Sequence, residues 1–165
     1  MGKITPPSVL TAEHNLANFD CGEDTLNHWL KKLAVKNQIS GASKSFVCCH
    51  KTNVIGYYAL ASGSVERAQA PSAISRNMPA NIPVIILARL AVDKQFQQQS
   101  LGSHLLKDAL MRVLNVSINI GVKAVLVHAL TDNVKAFYLQ YDFKQVGINS
   151  YTLFLPVTHI KNYFL

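Results

Sequence analysis

The order of helix and strand patterns in these 165 residues predicts an α/β fold with a mixed central β-sheet flanked by helices. An amphipathic helix comes first, and a β-hairpin follows it. A nearly continuous apolar run then indicates a central strand that is buried on both faces. Two further helices alternate with strands towards the C-terminus. Because a domain usually has ~100 to 200 residues, we predict a single domain spanning residues 1–165.

The first helix is predicted over residues 23–38. Apolar residues recur at helical spacing along the stretch Leu26–Leu33, which would place Trp29 in the core. Asp20 and Glu23 have the spacing of a capping box, so Asp20 is the expected N-cap.

The later elements are predicted from the same periodicities. A loop or short irregular helix should occupy residues 66–81, and Gly121 stands where a C-terminal cap would end the long helix. The remaining predicted elements are the hairpin strands 45–50 and 54–64, the central strand 83–92, a helix over 101–120, a strand over 122–130, a helix over 132–141 and a last strand or strand pair over 144–157.

The charge is strongly basic, with a formal net charge of +7 and a pI near 9.4. Residues 25–65 contain no Asp or Glu but five lysines. Such a stretch is either an ordinary solvated face or a surface that binds phosphates. The overall charge favours a polyanionic partner.

Several classes of protein are disfavoured by the composition. No apolar stretch approaches the ~18 residues of a membrane helix, and the first residues lack a signal-peptide pattern, so we expect a cytoplasmic protein. Three cysteines, an odd number without paired spacing, favour reduced thiols, and Cys48 and Cys49 are expected in the core. The histidines are scattered without the spacing of metal ligands, so we expect no metal site. His128 is expected to be a core residue whose hydrogen bonds are satisfied.

The most informative segment is a strand, a short loop and a helix start between Ala88 and Gly102. Here the chain runs from the strand end at Asp93 through a polar loop to Ser100, which precedes the long helix. Such a turn directs free backbone N–H groups and the positive end of the helix dipole at one point. This is an anion site that suits a pyrophosphate.

This segment resembles the cofactor motif of the GNAT family of N-acetyltransferases, Q/R-x-x-G-x-G/A after a strand. Gln97, Ser100 and Gly102 stand in the three marked places. More narrowly, six further segments resemble the acetyltransferase toxins of bacterial toxin–antitoxin pairs: Trp29-Leu30-Lys31, Lys36-Asn37-Gln38, Arg76-Asn77-Met78-Pro79, Ile82-Pro83-Val84-Ile85, Ala88-Arg89-Leu90-Ala91-Val92-Asp93 and Val127-His128-Ala129-Leu130.

A second family signature is similar to the segment that begins at Asn133, with Phe137-Tyr138 and Asp142-Phe143 following it. Two positions depart from the family pattern, because Ser100 and Asp142 replace glycines. Where the backbone needs a positive φ, serine costs roughly 1 kcal/mol, whereas Asp tolerates the left-handed region better than most residues.

The resemblance implies a GNAT fold in which a splayed strand pair forms an acetyl-CoA cleft. Tyr138 would place its hydroxyl beside the thioester sulfur and protonate the leaving thiolate, whereas Tyr141 is expected only to pack. The residues implied in cofactor binding are Leu90, Ala91, Val92, Gln97, Gln98, Gln99, Ser100, Leu101, Gly102 and Asn133.

The activity that the resemblance implies is transfer of acetyl to the α-amine of an aminoacyl-tRNA, which would block translation. The candidate residues for gripping the tRNA are Lys31, Lys32, Lys36, Lys44, Arg76 and Arg89, of which Arg89 is alternatively a structural ion-pair partner. The implied partners are a ribbon-helix-helix antitoxin, operator DNA bound through the repressor complex, and a second copy of the chain.

Two other functions remain compatible with the residues. One is a GNAT N-acetyltransferase acting on a protein or small-molecule amine, although the scarcity of acids after residue 25 disfavours a polyamine. The other is a degenerate acetyltransferase scaffold that binds nucleic acid, with CoA binding weakened at Ser100 and Asp142.

Overall fold

The computed structural model describes residues 3–147 and 150–164. Its strands are β1 (Ser8–Val9), β2 (Lys44–His50), β3 (Asn53–Glu66), β4 (Asn81–Val92), β5 (Ala124–His128), β6 (Lys144–Gln145) and β7 (Thr152–Pro156). They form a seven-stranded sheet in the order β1-β2-β3-β4-β5-β7-β6. β4 and β5 pair in parallel, whereas β2 with β3 and β5 with β7 are antiparallel, so the predicted mixed sheet is confirmed.

The helices are α1 (Asp24–His28), α2 (Ala34–Ser40), α3 (Ser72–Ser75), α4 (Leu101–Asn119), α5 (Asp132–Leu139) and α6 (Val157–Phe164). A π-helical turn, Trp29–Leu33, joins α1 to α2, and short 3₁₀ turns lie at Arg67–Gln69 and Lys94–Phe96. Of the helices in the described ranges, none has both the length and the apolar character that crossing a membrane requires.

The chain divides into two compact units. The first unit contains residues 1–61 and 88–109, and the second contains residues 62–87 and 110–165.

An aromatic cluster forms the core of the first unit beneath the first helical segment. Trp29 stacks on Tyr57 with ring centroids 6.0 Å apart, and Phe19 meets Tyr57 edge-on at 5.6 Å. The buried Tyr57 hydroxyl donates to the Leu26 carbonyl over 2.8 Å, which satisfies the one polar atom of that ring. Trp29 is 6% exposed, so its predicted place in the core is confirmed.

The first helical segment differs from its prediction in two ways. It continues to Ser40 and ends where Gly41 adopts a left-handed conformation with φ 85°, and a π-helical turn interrupts it. The expected N-cap was wrong, because Glu23 occupies that position without a side-chain cap. Asp20 instead accepts hydrogen bonds from the Gly22 amide and the Asn27 side chain, both at 2.9 Å.

The β-hairpin of the first unit is confirmed, with Lys51 at φ 59° in its turn. Where β3 passes under α4, a Cβ added to Gly56 would lie 2.8 Å from the Cys48 sulfur and 3.0 Å from Leu105. Only glycine fits there without displacement of a neighbour. Cys48 and Cys49 are buried as predicted.

The second unit has its own apolar core between the sheet and α3. Ile74 and Ile82 are fully buried against Ala124 and Phe154. β4 and β5 are in register from Val84↔Ala124 to Leu87↔Val127, and β4 continues to Val92. In β4, Val84, Ile85 and Leu87 are buried but Ile86, Ala88 and Leu90 are half-buried, so the expected burial on both faces is met in only part of the strand.

Two local expectations for the second unit were wrong. Gly121 has no left-handed conformation, because α4 ends at Asn119, where Ile120 already donates to the Val116 carbonyl over 3.1 Å. His128 is exposed at the end of β5 and pairs its Nδ1 with the Thr152 hydroxyl at 2.9 Å, so it is not a core residue. The predicted last strand pair is confirmed as β6 and β7, which pair antiparallel, and α6 begins at Val157, the final residue of the predicted range.

Candidate functional site

The strand-to-helix turn of the first unit is organised by Asp93, which directly follows β4. Its carboxylate is 8% exposed and accepts hydrogen bonds from the Gln95 amide at 2.9 Å and the Asp20 amide at 3.0 Å. Its own N–H donates to the Ile55 carbonyl of β3 over 2.8 Å. The buried carboxylate is therefore satisfied by backbone donors and fixes the path of the loop.

Beyond this anchor, the loop presents unused backbone donors. Within the described ranges, none of the N–H groups from Gln97 to Gly102 donates to a protein acceptor. Gln98 and Ser100 adopt left-handed conformations with φ 64° and 62°. The Ser100 carbonyl accepts from the His104 amide over 3.1 Å, which ties this end of the loop to α4. Free amides of this kind at a helix N-terminus bind anions.

The loop glutamines differ in what their side chains do. Gln97, Gln98 and Gln99 are all exposed, but the Gln97 side chain donates to the carbonyls of Val92 at 2.8 Å and Cys21 at 3.1 Å. Gln97 therefore offers only its backbone N–H to a ligand.

The end of β4 carries the other predicted cofactor residues of the first unit. Ala91 and Val92 are buried and Leu90 is half-buried. Arg89 lies with its guanidinium carbon 5.1 Å from the centre of the Trp29 ring, and its Nη1 donates to the Ala88 carbonyl over 2.8 Å. Its buried Nε has no acceptor in the described part of the chain. The contact with Trp29 is a cation–π interaction.

Tyr138 is buried in the second unit, where it lies on α5. Its ring packs against Phe137 and Phe143, each at 5.2 Å between centroids. The side chain is 5% exposed, and among the residues described no group hydrogen-bonds its hydroxyl. Burial raises the pKa of the Tyr138 phenol well above its usual value. A buried phenol without a protein partner is available to a ligand.

The rest of the second signature surrounds Tyr138 in sequence. Asn133, the second residue of α5, is exposed, and the helix is capped by the Thr131 hydroxyl, which accepts from the Val134 amide over 3.2 Å. Asp142 has φ 69°, so this glycine position does require a left-handed backbone. Tyr141 packs against Phe137 at 5.3 Å.

The basic candidates have separate positions in the fold. Lys31 and Lys32 lie in the π-helical turn, Lys36 lies on α2 and Lys44 begins β2, all of them exposed in the first unit. Arg76 is exposed in the second unit, directly after α3. The π-helical turn buries Trp29 and Leu30 while leaving the two lysines that follow in solvent.

The buried thiols are poor nucleophiles. Burial, followed by the neighbouring Cys49, raises the pKa of Cys48 to about 12. A thiol with such a pKa is protonated at neutral pH and does not attack an electrophile.

Sequence reasoning missed the contribution of Asp20 and Asp93. The available signal was Asp93 itself. An Asp directly after an apolar strand can accept a hydrogen bond from the backbone N–H two residues on, which is an Asx turn. Its partner Asp20 is 73 positions away in sequence, so no local pattern reveals the contact.

The chain is similar to known proteins along most of its length. The family model for the acetyltransferase (GNAT) domain matches residues 12–161. A tRNA-acetylating toxin of Mycobacterium tuberculosis is 45% identical over 144 residues, 87% of each chain.

Solved structures of a second relative, AtaT, are also similar. AtaT complexed with acetyl-methionyl-tRNAfMet has a TM-score of 0.90 at 32% identity and covers 99% of this chain and 100% of that one. A Tyr-to-Phe mutant of AtaT bound to the C-terminus of the antitoxin AtaR and acetyl-CoA has a TM-score of 0.85 at 32% identity and covers 98% of both chains. The AtaT–AtaR complex bound to DNA has a TM-score of 0.81 at 30% identity and covers 98% and 100%.

The fold expected from the sequence and the match over residues 12–161 lead to the same assignment. This chain belongs to the GNAT family of acetyltransferases.

Proposed function

We propose that this chain transfers acetyl from acetyl-CoA to the α-amino group of an aminoacyl-tRNA, and that it is the toxin of a toxin–antitoxin pair. The observation that carries the proposal is the 45% identity to a tRNA-acetylating toxin across 87% of the chain. The basic composition supports a nucleic-acid substrate, because a net charge of +7 attracts a polyanion.

The cofactor residues fit a pyrophosphate. The free N–H groups from Gln97 to Gly102 would bind the phosphate oxygens, and the α4 N-terminus adds its positive dipole end. Backbone groups of Leu90, Ala91 and Val92 would pair with the pantetheine arm, and Asn133 would bond it from α5. Acetyl-CoA supplies an activated acetyl group as a thioester.

The reaction needs little acid–base assistance on the amine side. A free α-amino group titrates near ~7.7 to 8.0, so a large share of it is neutral and nucleophilic at neutral pH. The amine nitrogen would attack the thioester carbonyl, the C–N bond would form and the C–S bond would break. Positioning of the two groups and backbone donors to the oxyanion would supply much of the rate.

Tyr138 is the proposed general acid. A tyrosine phenol is already protonated at neutral pH, and burial raises the pKa of Tyr138 further, so the proton is present on the hydroxyl. The leaving CoA thiolate would take that proton while the attacking amine loses one to solvent. Its hydroxyl lacks a protein partner in the described residues, which leaves it open to the sulfur.

The exposed lysines 31, 32, 36 and 44, together with Arg76 and Arg89, are the proposed tRNA contacts. Phosphate contacts of this kind position an RNA without reading its sequence. The half-buried Arg89 would contribute least as a free cation, because it is committed to Trp29.

The remaining proposals concern partners and organisation. We propose a ribbon-helix-helix antitoxin, operator DNA bound through the toxin–antitoxin complex, a homodimer, a single domain over residues 1–165 and a cytoplasmic location, where charged tRNA is found. The AtaT complexes with the AtaR C-terminus and with DNA support an antitoxin partner and binding of DNA by the complex.

The proposal is tested by transfer of labelled acetate from acetyl-CoA to total charged tRNA, with deacylated tRNA as the control. We expect label to enter only charged tRNA and to leave on mild alkaline hydrolysis of the ester. Absence of transfer with acetyl-CoA binding intact would redirect the assignment to another amine substrate. Absence of both would support the degenerate scaffold.

A further inference from the structure

The Gln97 side chain lies where three segments of the first unit meet. Its Nε2 donates to the Val92 carbonyl at 2.8 Å and to the Cys21 carbonyl at 3.1 Å. Val92 is the last residue of β4, and Cys21 lies in the segment that leads into α1. One amide group therefore ties the candidate phosphate loop to the strand before it and to the start of the first helical segment.

These two bonds use all the donors that this side chain has. A glutamine NH₂ group carries two hydrogens, and each is directed at one carbonyl. The side chain therefore has no N–H left for a ligand, although the backbone N–H of Gln97 is free. The side chain of Gln97 would therefore contribute to ligand binding through the shape of the loop.

Contacts with Asp20 and Asp93 hold the first half of the loop, whereas the Ser100 carbonyl ties its far end to α4. The Lys94 amide donates to the Asp20 carbonyl over 2.8 Å, and the Asp20 amide donates to the Asp93 carboxylate over 3.0 Å. Beyond them the loop contains two left-handed residues, Gln98 and Ser100, before α4 begins. Non-glycine residues persist in that conformation where surrounding contacts over-determine it. Gln97 is the anchor directly before this strained half.

We propose that Gln97 is a positioning residue that holds the loop in its anion-binding shape, without touching the ligand through its side chain. The inference rests on the proposed binding of acetyl-CoA by this loop. On this proposal, Gln97 contributes to acetyl-CoA affinity by holding the backbone amides in place before the ligand binds. A loop without this anchor would have to be ordered on binding, which costs affinity.

Four substitutions test this role, with kinetics in acetyl-CoA and charged tRNA as the assay. Gln97→Ala removes both bonds, and Gln97→Glu keeps the shape but replaces the donor by oxygens that face two carbonyls. Gln97→Arg restores donors, and Gln95→Ala is the control because that exposed side chain makes no hydrogen bond within residues 3–147 and 150–164. We expect Ala and Glu to raise the KM for acetyl-CoA about tenfold, as for one or two lost hydrogen bonds. The kcat should stay within about twofold, as preorganisation affects binding alone.

Two further results separate positioning from general damage. Gln97→Arg should recover most of the affinity, and Gln97→Ala should use S-acetylpantetheine, which lacks the pyrophosphate, as well as wild type does. The inference would be overturned if Gln97→Ala had the same KM for acetyl-CoA as Gln95→Ala, or if only its kcat fell. An equal loss of its activity with S-acetylpantetheine would overturn it as well. Failure of the wild-type chain to bind acetyl-CoA would instead overturn the proposed function.

Discussion

Tyr138 combines two properties that rarely occur together in a structural tyrosine. It is 5% exposed, and its hydroxyl lacks a hydrogen-bond partner in the part of the chain that the structure describes. A purely structural phenol in the core would ordinarily bond to a neighbour, as Tyr57 does to Leu26. The difference between the two residues is the residue-scale support for a catalytic role.

Replacement of Tyr138 by Phe should therefore reduce turnover without loss of the fold. Phe fills the same buried space, and loss of a general acid typically costs about 10²-fold or more in rate. We expect kcat for acetyl transfer to fall about 100-fold, with the KM for acetyl-CoA little changed. Steady-state kinetics beside Tyr141→Phe supply the comparison, and equal activity of the two variants would remove Tyr138 from the mechanism.

Ser100 occupies a left-handed position, with φ 62°. The strain of an L-residue there is roughly 1–2 kcal/mol. Glycine removes this strain, but it also raises the conformational entropy of the unfolded chain, which offsets part of the gain. Ser100→Gly should leave the free energy of unfolding unchanged or raise it by up to about 1 kcal/mol, while Ser100→Val should lower it by about 1–2 kcal/mol. Urea unfolding and acetyl-CoA titration check this. Weaker acetyl-CoA binding by Ser100→Gly would show that the serine hydroxyl contributes a bond.

Asp142 adopts the left-handed backbone expected at a glycine position after a helix, and Ser100, whose conformation the sequence left open, also has a positive φ. Residue identity failed at His128, which was expected in the core because it was placed within an alternating strand over 122–130. The strand stops at that residue, so the side chain reaches solvent and pairs with Thr152. Where a strand ends depends on its neighbours, and a single sequence does not contain that information.

At the scale of elements, Gly56 marks the closest approach of β3 to its neighbours in the first unit. A methyl group there would overlap Cys48 and Leu105. Gly56→Ala should lower the free energy of unfolding by about 1–3 kcal/mol, as overpacking of a core does. The matched control is Gly121→Ala, where no atom outside the neighbouring residues lies within 4 Å of the added carbon. This substitution should change the free energy of unfolding by less than about 0.5 kcal/mol. Equal effects of the two substitutions in chemical denaturation would refute this account of the packing.

The junction between the loop after β4 and the segment before α1 gives a pH-dependent prediction. The Gly22 amide first, then the Asn27 side chain and Lys94, lower the pKa of Asp20 to about 2 from 3.8. Because the pKa of Asp20 is lower in the folded than in the unfolded chain, its charge stabilises the folded state at pH values above the unfolded pKa. That stabilisation is lost as the pH falls from 3.8 towards about 2.

Asp20→Asn should accordingly be less stable than wild type at pH 6, and the difference should shrink on acidification to pH 3. Urea midpoints at the two values measure it, with Asp24→Asn as the control for an exposed acid nearby. A difference that is independent of pH would contradict the assignment of the stabilisation to the Asp20 charge.

Elements with strong periodicity were predicted with small errors at their ends, as for α4, α5 and β4. The π-helical turn was not predicted, because its extra residue leaves the apolar spacing of Leu26–Leu33 nearly helical. β1 has two residues, too few for any periodicity, and α6 follows β7 directly, so both escaped prediction. The capping-box assignment failed because Asp20 bonds to Gly22 and Asn27.

For the molecule as a whole, the net charge of +7 should govern binding of tRNA. Each lysine that neutralises a phosphate releases counterions and adds about 1 to the slope of log affinity against log salt. Lys32→Ala with Lys36→Ala should weaken tRNA binding and lower that slope by about 2. Lys144→Ala, an exposed lysine on β6, should change neither, and filter binding at several salt concentrations measures both. An unchanged slope in the double variant would remove these lysines from the tRNA surface.

The family and its fold were predictable from motifs that lie close together in sequence, since Gln97, Ser100 and Gly102 are separated by few residues. The surrounding contacts were not, because Gln97 with Cys21 and Asp93 with Asp20 join residues more than 70 positions apart. Long-range contacts of this kind decide which of the motif residues bind a ligand and which position others.

The most direct test of the account is to identify the acetylated product. The purified chain is incubated with acetyl-CoA and total charged tRNA, the ester is hydrolysed, and the released amino acids are analysed by mass spectrometry. We expect N-acetylated amino acids that arise only from charged tRNA and are strongly reduced with Tyr138→Phe. Acetyl groups found on protein or small amines, with the released amino acids unmodified, would contradict it.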